Sequence, residues 1–186
     1  FMIACFDNNT KLQTSRLLLR PFRLEDVDDV FDYASDPEWS KYFPTVPVPY
    51  LRRDAEEFLE RTVLTSWETK PVLAIVLAST VIGGVSVRVN LEHEIGELGY
   101  GVGTSYWGQG FASEAVSAVI DWAFDRYSLA KIHARSDVRN VGSQRVMEKV
   151  GMTREGVLRS QAKRRGIRVD YVYYGILRQE WDHQRI

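Results

Sequence analysis

Apolar and polar positions alternate between residues 97 and 102, as they do along a strand with one buried face. The two faces consist of Leu98, Tyr100 and Val102 on one side and of Glu97, Gly99 and Gly101 on the other. The first set can pack into a core. The second offers a carboxylate beside two positions without a side chain, where a ligand can approach the backbone.

A helical pattern follows this strand after a loop that contains Gly108 and Gly110. It starts at Ala112 and continues to about Tyr127, with apolar residues at steps of three and four: Ala115, Val116, Val119, Ile120, Ala123 and Phe124. The glycines let the loop turn its N–H groups inward. Unpaired amides and the positive end of the helix dipole then meet at residues 109–113, which predicts an anion site, with phosphate as the usual anion.

Two named phosphate-binding motifs do not fit this loop. The P-loop requires a lysine directly after its last glycine, and none is present here. The dinucleotide fingerprint begins with Gly108 and Gly110, but Ser113 occupies its third glycine position and Asp121 would lie inside the helix. A tight strand-to-helix turn that binds nothing remains the alternative interpretation.

The rest of the pattern predicts one α+β domain around a mixed, mostly antiparallel sheet of about seven strands, flanked by about four helices. The antiparallel part comes first, and a β–α–β unit covers residues 95–136. Gly83 and Gly84 indicate a bulge. Strands are expected at 16–22, 71–78, 81–91, 95–102, 131–136, 153–159 and 168–177, and helices at 24–34, 51–67, 112–127 and 140–150.

The segment 39–50 combines clustered aromatic residues with prolines at 44, 47 and 49. Its aromatic residues are Trp39, Tyr42 and Phe43. A rigid aromatic loop of this kind often lines a pocket. A connector whose rings cover the core is an equally good interpretation.

The composition is typical of a soluble globular chain that can bury a substantial core. Of the 186 residues, 45% are hydrophobic and 26% are charged. Cys5 is the only cysteine, which excludes an internal disulfide and suits a reducing compartment. The longest apolar run, residues 72–87, is short for a membrane span, and residues 1–11 lack a signal-peptide pattern. We therefore expect no membrane partner and a cytoplasmic location.

The formal net charge of −1 conceals an uneven distribution along the chain. Residues 126–186 hold 14 Lys+Arg and 6 Asp+Glu. This basic third could attract nucleic acid, steer a polyanionic cofactor, or form a solvated face. Nucleic acid is the less favoured partner, because the basic residues are dispersed except at residues 163–165 and Arg168.

Several motifs, in the right order, resemble one enzyme family. Residues 106–115 (YWGQGFASEA) are similar to the acyl-CoA pyrophosphate loop of the GNAT acetyltransferase superfamily. The greatest similarity is to the RimJ/RimL-like branch, which contains ribosomal-protein N-terminal alanine and serine acetyltransferases. Further motifs of that branch are matched by residues 16–21, 140–151, 155–159 and 176–181. The resemblance implies one GNAT domain over residues 12–181, with tails at 1–11 and 182–186.

The resemblance implies transfer of an acetyl group from acetyl-CoA to a primary amine, by direct attack in a ternary complex. The strand around residues 99–103 is expected to separate from its neighbour. Its backbone would then pair with the pantetheine arm through Gly101, Val102 and Gly103, and the Val102 N–H would polarise the thioester carbonyl.

The pyrophosphate contacts are expected from backbone N–H groups, because Trp107 stands where the superfamily has Gln or Arg. The residues that provide them are Gln109, Gly110, Phe111, Ala112 and Ser113.

Asn140 and Ser143 lie one helical step apart and face the same side of a predicted helix. The motif match implies that Asn140 bonds the pantetheine arm and that Ser143 lies near the thiol, where it would protonate the leaving thiolate. Asn140 is also a favourable N-cap residue, and it can fill both roles.

Glu97 is the first candidate for the general base, because it shares a strand face with Gly99 and Gly101 and can accept a proton, directly or through water. Its alternative role is that of a surface salt-bridge partner. RimL-like members carry a glutamate after the position of Leu158, but residues 160–163 here are Ser-Gln-Ala-Lys. The base of that branch therefore cannot be transferred to this chain.

The three histidines give weaker candidates. His93 lies in the turn before Glu97, His133 is expected to pack within a strand, and His183 lies in the tail. They are too dispersed for a metal site, so no metal is expected.

Two other classes of function remain open. A non-catalytic acyl-CoA sensor or scaffold would share the fold and the cofactor contacts, and a nucleic-acid-binding module would use the basic third. For the enzyme, the amine acceptor could be a protein N-terminus, a free amino acid, a polyamine or an aminoglycoside-like compound. The resemblance also makes a homodimer a possible assembly.

Overall fold

One eight-stranded sheet is the centre of the computed structural model, which describes residues 10–43 and 45–184. The strands are β1 (Leu12–Gln13), β2 (Leu17–Pro21), β3 (Val72–Leu77), β4 (Thr80–Asn90), β5 (Ile95–Val102), β6 (Lys131–Asp137), β7 (Thr153–Arg164) and β8 (Ile167–Leu177). They lie in the order β1-β2-β3-β4-β5-β6-β8-β7, and only β5 and β6 run parallel. The predicted α+β class and the mostly antiparallel mixed sheet are confirmed.

Helices cover both faces of this sheet. They are α1 (Val27–Ala34), α2 (Pro37–Ser40), α3 (Arg52–Val63), α4 (Phe111–Tyr127), α5 (Val141–Lys149) and α6 (Arg178–Gln184). On one face, α4 buries Ile120 and Phe124 completely in the larger hydrophobic cluster. On the other face, α1 and α3 pack Val30 and Leu59 against Val76 of β3. Successive residues of a strand point to opposite faces, so β3 contributes to both clusters.

The parallel pair β5–β6 is short. It begins at Ile95 opposite Lys131 and ends at Leu98 opposite Ala134, although β5 continues to Val102. The ends of β5 and β6 therefore diverge, as the predicted separation of residues 99–103 requires. The two strands are connected by α4, which gives the predicted β–α–β unit.

A bulge in β4 lies beside this diverging end of β5. Ile75 pairs with Gly83 and Val76 with Val81, so Ile82 is the extra residue. A β-carbon at Gly83 would lie 2.1 Å from the carbonyl oxygen of Gly101 on β5, so only glycine permits this close approach. The bulge indicated by the paired glycines is present.

The structure adds short elements to the predicted set. Within the described residues there are eight strands instead of about seven and six helices instead of about four. The two-residue β1 and the four-residue α2 are too short to show a period in the sequence. Cys5 lies outside the described residues. Within residues 10–43 and 45–184, no helix is long and apolar enough to cross a membrane.

The C-terminal strands differ from their predicted bounds. The matched motif 176–181 covers the end of β8 and the start of α6 at Arg178, where Glu180 accepts a hydrogen bond from the Leu177 N–H (2.8 Å) and Trp181 turns into the core. The strands predicted over residues 153–159 and 168–177 are longer than expected, because β7 and β8 continue to a two-residue turn. Arg165 and Gly166 both have positive φ there (46° and 84°), as tight hairpins favour.

Candidate active site

The start of α4 presents the amides of the predicted anion site. Gly108 (φ 74°) and Gly110 (φ 82°) adopt left-handed conformations, and Gly110 is the N-cap. The first backbone bond of the helix joins the Glu114 N–H to the Gly110 carbonyl (3.0 Å). The N–H groups of residues 111–113 precede that bond, so they have no acceptor within the helix.

Trp107 joins the loop before α4 to the end of β5. Its indole Nε1 donates to the carbonyl oxygen of Val102 (2.8 Å), and half of its side chain remains exposed. A tryptophan thus replaces the polar side chain of the superfamily pattern with a contact that fixes the loop to the strand.

The diverging ends of β5 and β6 leave a gap beyond Leu98 and Ala134. The hydrogen bonds between β4 and β5 determine which backbone groups of β5 face this gap. Gly103 donates its N–H to Ile82 (2.8 Å), and its carbonyl accepts the Tyr106 N–H (2.9 Å). Because antiparallel strands alternate, Gly101 also points to β4, whereas Tyr100 and Val102 point to the side from which β6 diverges. The predicted pantetheine contacts through Gly101 and Gly103 are therefore not supported by the geometry, whereas the Val102 N–H has the required direction.

Ser143 lies beside the gap, and the side chain of Tyr100 on β5 contacts it there. The two hydroxyl oxygens are 2.9 Å apart, and the tyrosine hydroxyl is also 3.0 Å from the Ser143 carbonyl oxygen. Burial raises the pKa of Tyr100 to about 12, against the smaller lowering effect of its bond to Ser143. Asn140 caps α5 by accepting the Ser143 N–H on Oδ1 (3.1 Å), so its N-cap role is present and its amide nitrogen can still donate.

Glu97 lies between two guanidinium groups. Its carboxylate is 3.1 Å from Nε of Arg135 and 3.3 Å from Nη1 of Arg88, and about a quarter of the side chain is exposed. His133 on β6 is its cross-strand neighbour. These contacts match the alternative role of a salt-bridge partner, and the role of general base stays a prediction.

A cavity of about 630 Å³ extends from the start of α4. Its lining includes Gly110, Ser113, Arg16, Lys149 and Trp181. A β-carbon at Gly110 would lie 3.5 Å from Nη2 of Arg16 and 3.6 Å from Nζ of Lys149, so two cationic groups stand beside the unpaired amides. The combination is suited to an extended anionic ligand.

The family model described as Acetyltransferase (GNAT) domain matches residues 16–153 of this chain. The chain belongs to the GNAT family. The match identifies it as an acyltransferase.

Similar proteins support this assignment. The GNAT chain is 32% identical over 173 residues to the Uncharacterized N-acetyltransferase p20 of Bacillus licheniformis, covering 91% of this chain and 97% of that protein. The crystal structure of an acetyltransferase (GNAT family) from Bacillus anthracis is similar with a TM-score of 0.83 and 27% identity, covering 91% of this chain and 99% of that one.

A third similar structure is RimL, named as the ribosomal L7/L12 alpha-N-protein acetyltransferase in complex with coenzyme A. Its TM-score is 0.82 at 16% identity, over 90% of this chain and 98% of that one, and this likeness shows the fold alone. The predicted resemblance to GNAT enzymes is confirmed, and the resemblance to the RimL-like branch stays a prediction.

In this GNAT domain, Glu114 ties the turn between β1 and β2 to the start of α4. It accepts hydrogen bonds from the Thr14 hydroxyl (2.7 Å), the Ser15 hydroxyl (3.0 Å), the Arg16 N–H (2.9 Å) and Arg16 Nε (2.7 Å). Arg16 then donates from Nη1 to the Gln109 carbonyl (3.0 Å). Burial alone would raise the pKa of Glu114, but these hydrogen bonds lower it to about 2.

The aromatic segment of the GNAT domain covers β5 on the side away from α4. Trp39 and Phe43 are stacked with ring centroids 4.4 Å apart. A β-carbon at Gly101 would lie 2.6 Å from Phe43 and 3.5 Å from Nε1 of Trp39. The rings therefore take the space that a side chain at Gly101 would occupy. Trp39 also packs against the hydrophobic cluster that contains Val30 and Val76, so the pocket-lining loop and the connector that covers the core both stay predictions.

The three histidines are separate in the structure. His133 is half-buried, and burial lowers its pKa despite the nearby Glu97 carboxylate. His93 and His183 are exposed. Within residues 10–43 and 45–184, no three His, Cys, Asp or Glu side chains come together as a metal site would require.

The sequence analysis did not identify four residues of the site. Tyr100 was assigned to the core alone, Arg16 only to a strand motif, and neither Glu114 nor Lys149 was given a role. The shared signal, visible afterwards, is that each lies within a recognised motif segment. Their contacts join elements that are far apart in the chain.

We predict that Glu114→Gln lowers the free energy of unfolding at pH 7 by about 1–3 kcal/mol, because the depressed pKa marks a carboxylate stabilised in the folded state. The contribution is complete above the unfolded pKa, about 4.3, and is lost as the pH falls towards 2. The difference in the free energy of unfolding between Glu114→Gln and the wild type, measured with a denaturant, should therefore be smaller at pH 3 than at pH 7. The exposed Glu60→Gln is the control, and a loss that does not change with pH would contradict the assignment.

Proposed function

We propose that this GNAT domain is an acetyl-CoA-dependent N-acetyltransferase that moves an acetyl group to a primary amine by direct attack in a ternary complex. The observation that supports it best is the gap between the ends of β5 and β6, with the Val102 N–H on one side and the Ser143 hydroxyl against it. A thioester needs both kinds of group, one for its carbonyl oxygen and one for its sulfur.

The residues around the gap fit coenzyme A. The amides of residues 111–113, with Arg16 and Lys149 beside Gly110, suit the diphosphate, and the adjoining cavity suits the nucleotide. The Asn140 amide would bond the pantetheine arm. Acetyl-CoA supplies the activated acyl group.

The proposed transfer assigns one task to each residue. The Val102 N–H donates to the thioester carbonyl oxygen while the amine nitrogen forms its bond to the carbonyl carbon. The carbon–sulfur bond breaks, Ser143 gives its hydroxyl proton to the departing thiolate, and the serine regains a proton from the nitrogen as the amide forms. Tyr100 is a positioning residue: burial raises its pKa to about 12, so the hydroxyl stays protonated and donates to the Ser143 carbonyl oxygen (3.0 Å), which fixes the serine against the gap.

The attacking amine must lose a proton, and Glu97 is the proposed acceptor of it, through water. The carboxylate shares its strand face with Gly99, whose β-carbon position has only the Ser86 hydroxyl within 4 Å, at 3.2 Å. The open space beside Gly99 gives water access to the Glu97 carboxylate. The alternative, a non-catalytic acyl-CoA-binding protein, would keep the proposed coenzyme A contacts but would not use the Glu97 carboxylate.

The cellular setting is inferred from composition. A single cysteine suits the cytoplasm, and that location stays a prediction, as does a homodimer. The neighbour RimL is named for a ribosomal protein acceptor, which does not identify the acceptor of this chain.

The function is tested by acetyl-CoA-dependent thiol release over a panel of amines and N-terminal peptides. We expect release that requires the amine and gives equimolar N-acetyl product by mass spectrometry. Saturable binding of acetyl-CoA without transfer to any amine would favour the non-catalytic alternative. No affinity for acetyl-CoA would contradict both.

We predict that Ser143→Ala lowers kcat by about 100-fold at pH 7, the lower end of what a positioned general acid contributes. The loss should shrink as the pH rises above the thiol's ordinary pKa, about 8.5, because a thiolate then leaves without a proton. The measurements are a pH–rate profile and an acetyl-CoA dissociation constant, which should not change. Unchanged turnover across the pH range would remove this role from Ser143.

We predict that Glu97→Gln lowers kcat by about 100-fold with acetyl-CoA affinity preserved. Arg88→Gln is the matched control, since it breaks one ion pair of Glu97 and keeps the carboxylate. Turnover and affinity measured for both variants separate the two roles. Equal and small reductions of kcat in Glu97→Gln and Arg88→Gln would show that Glu97 serves only as a salt-bridge partner.

A further inference from the structure

Two buried side-chain nitrogens lack a hydrogen-bond partner among the described residues: Nε1 of Trp39 and Nη1 of Arg164. Both are N–H donors. A buried donor without an acceptor costs about 1–3 kcal/mol, and such groups are rare in folded proteins. Trp39 belongs to the aromatic segment 39–50, and Arg164 lies beside Tyr42 of the same segment. A ligand with acceptor atoms would satisfy such donors.

Arg164 is buried because it reaches back from the tip of the β7–β8 hairpin. Its side chain is only 10% exposed, and Nη2 donates to Oδ2 of Asp137 (2.6 Å). Asp137 is itself almost fully buried. Hydrogen bonds from Arg139 outweigh burial and lower the pKa of Asp137 to about 2, so the group is a carboxylate.

Asp137 has no capacity left for the second nitrogen of Arg164. Oδ1 accepts the backbone N–H of Arg139 (2.9 Å) and its Nε (2.9 Å), and Oδ2 accepts Nη2 of Arg139 (2.7 Å) beside that of Arg164. A carboxylate has about four acceptor sites, and all four are used. The neighbouring Asp170 accepts the Ser160 N–H (2.6 Å). Nη1 of Arg164 therefore needs an acceptor from elsewhere.

These groups border the mouth of the gap. Asp137 ends β6 beyond the point where β5 diverges, and Arg139 directly precedes Asn140. Tyr42 donates its hydroxyl to the Arg139 carbonyl (3.2 Å), and its ring lies 5.4 Å from the guanidinium of Arg164.

The same aromatic segment reaches β5 at its other side, where Trp39 and Phe43 fill the space above Gly101. The aromatic segment thus lies across the mouth of the gap. Trp39 Nε1 is the unpartnered donor on the β5 side, and Arg164 Nη1 is the one beside Asp137 at the end of β6.

We propose that Arg164 binds a carboxylate of the acceptor, which is a small primary amine that carries this group. The inference rests on the proposed function and names its substrate class. A guanidinium binds a carboxylate through paired, charge-assisted hydrogen bonds. A polyamine would instead bring a cation to Arg164 and leave both donors unpaired, and an aminoglycoside would bring several cationic groups to the same guanidinium. Lys163 and Arg168 on the same hairpin add positive charge to it.

The bound carboxylate takes the place of the Tyr42 ring, which covers the guanidinium in the absence of ligand. Tyr42 is partly exposed and held at its hydroxyl by the one long bond to Arg139. Trp39 supplies a second donor from the β5 side. The amine of the acceptor is then directed towards Gly99 and the gap.

The test compares thiol release with free L-amino acids, with their amides and with the corresponding decarboxylated amines. We expect the best amino acid to exceed its amide in kcat/KM by at least tenfold, about the effect of one charge-assisted hydrogen bond. Arg164→Gln should remove this preference, mainly by raising KM for the amino acid. The exposed neighbour Arg165→Gln is the matched control and should keep the preference.

A second measurement covers the case in which Arg164→Gln does not fold. Thermal unfolding of the wild type with coenzyme A should shift upwards with the N-acetyl amino acid and not with its amide. Equal use of acids, amides and N-terminal peptides would overturn the inference and leave the acetyltransferase function intact. Thiol release with none of the acceptors would overturn both.

Discussion

The interruption of one strand pairing determines the rest of this structure. β5 keeps its ladder with β4 and β6 keeps its ladder with β8, but the two strands pair with each other over only four residues each. Backbone groups on the facing edges beyond Leu98 are consequently without a ladder partner. Such groups need hydrogen-bond partners from outside the ladder. In the proposed function, a ligand in the gap provides them.

Side chains that bridge separate elements keep the edges of the gap in place. Trp107 holds the loop to Val102, Tyr100 holds α5 through Ser143, and Glu114 holds the β1–β2 turn to α4. Each contact joins a rigid element to a segment that would otherwise be a simple connector. The reactive positions therefore lie on strands and helix ends whose own packing is complete, which is the arrangement that transfer chemistry requires.

Local patterns made the core of the site predictable, and long-range contacts did not. The alternation over residues 97–102, the glycines and the helical period are all local, so the strand, loop and helix could be predicted together. The hydroxyl of Tyr100 meets Ser143 across 43 positions, and this depends on where α5 packs. The charged tip of the β7–β8 hairpin resembles a solvated loop in sequence, because the partner that buries Arg164 is 27 positions away.

The four-residue pairing of β5 and β6 also divides the sheet mechanically. Strands β1 to β5 form one continuous half and β6, β8 and β7 the other, joined by this short seam and by the helix that crosses it. A ligand bound in the gap, as the proposed function requires, would add hydrogen bonds between the two halves and so restrict their motion relative to each other.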